Sequence, residues 1–127
     1  LKKCGEIILE LENDKKYKYD IIIYCRPDLF FLKNIKCFNK YCQKYIYIPP
    51  TWKNRKTPMD HFAIIPRKYL KNFFFDRMKI YTFNNNKKYG KPEDIYFDTI
   101  KGLYKIDDDI RMFILRDNNI KSDITGI

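Results

Sequence analysis

Valine is absent from the 127 residues, and alanine, serine and histidine occur once each, as Ala63, Ser122 and His61. One histidine cannot build a multi-histidine metal site. One serine, outside any nucleophile-elbow pattern, gives no serine-hydrolase arrangement. The four glycines are scattered and form no phosphate-cradling loop. Cys4, Cys25, Cys37 and Cys42 contain no C-x-x-C pair, so neither a zinc ribbon nor a redox dithiol is expected. No basic stretch followed by an apolar stretch and a small-residue cleavage site opens the sequence. Reduced thiols and a cytoplasmic location are therefore the expectation. No apolar run approaches the roughly 18–20 residues needed to cross a bilayer, and the longest, Ile21–Cys25, has the length of a strand. The first residue is Leu1 rather than Met, which reads as a cut through a longer protein.

What is present is lopsided: 19 Ile, 10 Phe, 11 Tyr, 10 Asn and 20 Lys, the amino acids of A/T-rich codons. The net charge of +10 thus has two candidate causes, an electrostatic footprint for a polyanion or a codon bias that writes Lys at any polar surface position. Ile, Leu and Phe supply 37 residues, enough to bury a core in a single domain of this length.

Cys4, Ile7, Ile8 and Leu11 fall at i, i+3, i+4 and i+7, which predicts a surface helix from Lys2 to Asn13 with those residues on its inner face. The β-branched run Asp20–Cys25 predicts a strand covered on both faces, as in a parallel sheet. It ends at Arg26-Pro27-Asp28, because Pro27 donates no ladder hydrogen bond. Further strands are predicted at Lys44–Ile48, His61–Ile65, Lys79–Phe83 and Arg111–Leu115. Helices are predicted after Pro66, ending near Asp76, and from Pro92, where a first-turn proline precedes two acidic residues. The order predicts an α/β domain with a mixed, mainly parallel sheet flanked by helices.

The sharpest feature is the run Tyr19-Asp20-Ile21-Ile22-Ile23-Tyr24-Cys25-Arg26-Pro27-Asp28-Leu29, an apolar strand followed directly by an Arg and an Asp. An arginine at the carboxyl edge of an open sheet can neutralise a diphosphate, and an aspartate there can hold a hard divalent cation. The same two residues can equally form a structural ion pair closing a turn.

This run resembles the Tyr-Asp-apolar-apolar-x-x-Arg-Pro-Asp-Leu stretch of glycosyltransferase-like proteins with a GT-A nucleotide-sugar fold, found in large DNA viruses, algae and bacteria. Met59-Asp60-His61-Phe62-Ala63-Ile64 is similar to that family's Asp-x-Phe-Ala strand. Pro92-Glu93 is similar to its later Pro-Glu segment, and Phe113-Ile114-Leu115-Arg116 to its last strand ending in Arg. The resemblance implies transfer of a sugar from a nucleotide-sugar donor to a glycan, protein or other hydroxyl acceptor. It places Arg26, Asp28 and Arg116 at the donor diphosphate, with Asp28 also at a Mn2+ or Mg2+ ion. Asp60 is then the candidate general base and Glu93 the second candidate. Two departures stand out: Arg26 replaces the first carboxylate of the usual Asp-x-Asp, and one helix precedes the strand where the base-binding half of a GT-A domain lies. The chain therefore reads as the C-terminal part of such a domain.

Tyr41–Arg55 interleaves Tyr45, Tyr47 and Trp52 with lysines and Arg55, chemistry that suits a sugar site, a single-stranded nucleic-acid groove or a half-buried strand and basic loop. In the transferase reading Tyr47, Trp52 and His61 line the acceptor or sugar. A basic α/β module binding RNA or DNA is the alternative, although no RNA-recognition, zinc-finger or basic-zipper signature accompanies it and nucleic acid is not the expected partner. A non-catalytic relic of the transferase fold is a third reading. Asp107-Asp108-Asp109 carries the literal D-x-D spacing but joins a helix to a strand, where a solvated connection is expected.

Overall fold

The structure is a computed structural model, and it describes residues 1–35, 38–41, 43–50, 59–83 and 92–114. It begins with helix α1, Lys2–Lys15, which ends where Lys16 turns left-handed at φ 56° and its N–H reaches back to the Asn13 carbonyl. The helix is where the periodicity puts it, but its inner face is not. Ile7 and Leu11 are exposed, whereas Gly5 and Glu12 are buried and Leu1 and Ile8 pack on the core. Two long-range causes turn the face. A Cβ on Gly5 would stand 2.7 Å from the Phe75 ring and 2.9 Å from the Phe74 Cβ, so glycine lets the helix sit directly on that segment. Glu12 is drawn in by Arg67, whose Nε and Nη2 donate to its two oxygens at 2.8 and 2.7 Å.

Six short strands follow among the described residues: β1 Ile21–Cys25, β2 Leu29–Phe31, β3 Ile46–Ile48, β4 Phe62–Pro66, β5 Tyr104–Ile106 and β6 Met112–Ile114. Four form one mixed sheet in the order β1-β4-β3-β5, and β2 pairs with β6 in a second, two-stranded sheet. β4 runs antiparallel to both neighbours, and the β3–β5 pairing is parallel. The sheet is therefore mixed but not mainly parallel. β1 is at the sheet's edge with Ile23 46% exposed, and the strand covered on both faces is β4, all five of whose residues are buried. In a chain whose apolar residue of choice is isoleucine, a run of three Ile does not by itself distinguish an edge strand from a central one.

Past β4 the chain is helical from 67 to 83: a 3-10 turn at Arg67–Tyr69, π-helical turns at Lys71–Asp76, then α2, Arg77–Phe83. The strand expected at Lys79–Phe83 is thus a helix. Widening the helix lets the adjacent Phe73 and Phe74 both enter the core. Helix α3, Pro92–Ile100, begins at the expected proline, and β5 lies just after it, where Gly102 at φ 78° turns the chain.

The core lies on both faces of the main sheet. On one, Ala63, Ile65, Ile46 and Ile48 pack against Leu70, Phe73, Phe74, Tyr96 and Ile100 of the helical layer. On the other, Phe62, Ile64 and Tyr47 meet Tyr41, Ile110 and Met112, with Leu29 and Phe31 of the small sheet closing over them. Alternation along β4 divides its side chains between these two clusters.

Candidate functional site

The antiparallel β1–β4 register pairs Cys25 with Phe62, and just past this pair the Arg26 N–H donates to the His61 carbonyl. Two segments 35 residues apart are thereby held side by side at one end of the ladder. Pro27-Asp28 turns the chain from β1 into β2, and Asp28 accepts a forked pair from Arg26, Nε at 2.9 Å and Nη2 at 2.6 Å. The third guanidinium nitrogen, Nη1, lies 3.4 Å from His61 Nδ1. That same ring nitrogen is 3.4 Å from Asp60 Oδ1, while Asp60 Oδ2 is 3.4 Å from Arg77 Nη2.

Behind Asp60 the cluster runs into the core. Arg77, the first residue of α2, is 7% exposed, and its guanidinium carbon stands 4.7 Å above the Tyr96 ring. Arg77 Nη1 and the Tyr96 hydroxyl are buried without a hydrogen-bond partner among the described residues. The front of the cluster is open, with the Arg26 side chain 39% and the Asp28 side chain 32% exposed. Their pairing at that exposure contributes no more than about 1 kcal/mol, so its consequence is orientation.

The electrostatics follow the geometry. The Arg26 fork holds the Asp28 carboxyl below the usual carboxylate range, and the Asp28 hydrogen bonds push Arg26 further up. Burial raises the Tyr24 phenol, with Arg77 opposing it, and raises Tyr96 more strongly.

Of the residues singled out in the sequence, Arg26, Asp28, Asp60 and His61 converge here. Tyr47 does not join them. It is buried in the core with its ring edge-on to Tyr41 at 5.0 Å, which leaves no free face for a pyranose. Trp52 and Arg116 lie outside the described residues, as does the side chain of Glu93, which falls in α3. Asp107 is not a solvated connector: it is 8% exposed and accepts from Lys40 Nζ at 2.9 and 3.1 Å and from the Asp109 N–H at 3.1 Å. Arg77 and Tyr96 were not legible as site residues. In sequence Arg77 follows Asp76 after the run Phe73-Phe74-Phe75, a pair of opposite charges that gives no sign of burial.

A divalent ion does not fit the described side chains. Both Asp28 oxygens are engaged by Arg26, both Asp60 oxygens face His61 and Arg77, and no three His, Cys, Asp or Glu side chains converge among the described residues. No described helix is long and apolar enough to cross a membrane. No family model, curated protein or solved structure matches the chain.

Proposed function

We propose that the chain is part of a glycosyltransferase-like domain that moves a sugar from a nucleotide-sugar donor to a hydroxyl acceptor. The observation supporting this reading is the convergence of Arg26 and Asp28 with Asp60 and His61 at one end of the β1–β4 ladder. In the reaction, an acceptor oxygen forms a bond to the anomeric carbon as the bond from that carbon to the diphosphate oxygen breaks. Arg26 is the exposed cation able to meet the charge that develops on the leaving diphosphate, while Asp28 fixes the plane of its guanidinium. Asp60 accepts the acceptor's proton, oriented from behind by the buried Arg77.

The test is calorimetric binding of UDP-, GDP- and dTDP-sugars to the full-length protein, with and without manganese. Saturable binding to one donor, lost in Asp28→Asn with the fold intact, supports the reading. Asp60→Asn is expected to keep donor affinity and lower turnover by about 10²-fold or more. Absence of donor binding, together with binding to an RNA oligonucleotide that weakens steeply with salt, overturns the reading in favour of a nucleic-acid module.

A further inference from the structure

At the other end of β1 the structure carries a second feature that the transferase reading does not use. A groove of about 770 Å3 opens between α1, the residues leading into β1 and the start of the 67–83 helix. That volume falls within the range of roughly 300–1,000 Å3 typical of small-ligand pockets. Leu9, Leu70 and Phe75 give it an apolar wall, in which Leu70 is part of the core and Leu9 stands 41% exposed.

Its polar rim is mostly cationic, with Tyr19, Asp20 and Gln43 among the lysines and Arg67. Arg67 and Lys71 are neutralised from behind, Arg67 by Glu12 and Lys71 by Asp76 at 2.8 Å. Lys18 and Lys68 have no carboxylate within ion-pair distance among the described residues, Lys68 resting 4.9 Å above the Tyr69 ring, and Lys79 reaches Asp76 only at 3.9 Å. Against these three ammonium groups the groove presents one carboxylate, Asp20. Uncompensated positive charge beside apolar surface is complementary to a ligand that is itself divided in this way.

We propose that this groove binds an amphipathic anion: a phosphate carried on an apolar or aromatic body of pocket size. The phosphate is met by Lys18 and Lys68, and the body displaces water from Leu9, Leu70 and Phe75. The site is separate from the Arg26–Asp28 cluster. Asp20 and Arg26 flank the two ends of the five-residue strand β1, which at a rise of about 3.3 Å per residue puts them about 20 Å apart. The proposal therefore stands whether or not the protein transfers sugars.

The experiment is calorimetric titration of the full chain with n-octyl phosphate below its micellar concentration, with AMP, with inorganic phosphate and with n-octanol. An aliphatic or an aromatic phosphate ester is expected to bind saturably, at least tenfold more tightly than inorganic phosphate or octanol. Comparing the octyl ester with AMP shows which body the groove takes. The double variant Lys18→Glu/Lys68→Glu, and separately Leu9→Glu, should each weaken that binding at least tenfold. All three residues are exposed, so the thermal transition should be unchanged. Inorganic phosphate binding as tightly as the esters would reduce the groove to a general basic surface and overturn the proposal. So would octanol binding equally well, or variants that bind like the parent.

Discussion

Glu12→Gln and Arg67→Met are predicted to destabilise the fold unequally, and the inequality tests how α1 is held. The Glu12 side chain is 5% exposed and the Arg67 side chain 28%. Glu12 also accepts the Tyr19 backbone N–H at 3.1 Å, so one carboxylate ties together the helix, the approach to β1 and the end of β4. Gln retains one acceptor but sets an amide NH2 against the guanidinium. The loss of one charge-assisted bond is worth about 2 kcal/mol, because half-exposed Arg67 can turn to water. In a domain of this size that is a fall in Tm of about 7 °C. Arg67→Met leaves the buried carboxylate with the Tyr19 N–H as its remaining partner here and should cost about 3–4 kcal/mol. In the double variant the two losses should overlap, giving a coupling of about 2 kcal/mol by denaturant titration. The pH dependence has a definite sign. The Arg67 hydrogen bonds hold the Glu12 carboxyl below its ordinary 4.5, so the stabilisation is present above that value and is lost as pH falls through the lower folded-state value. The gap between the parent and Glu12→Gln should therefore close as the pH falls below the ordinary carboxylate range. A gap independent of pH, or an Arg67→Met loss no larger than that of Glu12→Gln, would refute this account of the helix.

Gly5→Ala should destabilise by about 1–2 kcal/mol despite alanine's better helix propensity, because the Phe75 ring tip can swing aside but the Phe74 Cβ belongs to the packed core; a more stable variant would contradict it. Burial, aided by Asp107, pushes the Tyr41 phenol up to about 12. Tyr41→Phe should remove one late-titrating phenol from the alkaline ultraviolet titration. Because the folded value is the higher one, Tyr41's contribution is present below about pH 10 and fades as pH rises towards 12. Asp28→Asn should cost no more than about 1 kcal/mol in stability, since a pair exposed by a third is screened; a loss of several kcal/mol would make Arg26–Asp28 a structural tie.

Much of the architecture could be read locally. β4 is expected at His61–Ile65 and found at Phe62–Pro66, one residue along, and α1 and α3 begin where their periodicity and capping chemistry place them. What local patterns missed was decided by partners far along the chain. β1 has the composition of a central strand but is paired on one side. β2, three residues that no local pattern predicts, exists through its pairing with β6. Lys79–Phe83 has the β-branched and aromatic residues of a strand, yet it continues a helix whose π turns are set by packing Phe73 and Phe74 under the sheet.

The site divides in the same way. Arg26 and Asp28 stood out because they follow directly on an apolar strand, and Asp60 and His61 through the resemblance of their segment to the transferase family. That they meet is a property of the antiparallel β1–β4 register, which no single segment encodes. Arg77 behind Asp60, the inward turn of Glu12 and the cationic groove beside Leu9 are tertiary facts. Residue type and spacing determined where α1, β1, β4 and α3 lie and which charges follow β1, because those depend on neighbours within a turn or a pleat. Which charges share a site was decided by folding, because electrostatic and hydrogen-bond partners are chosen by distance in space.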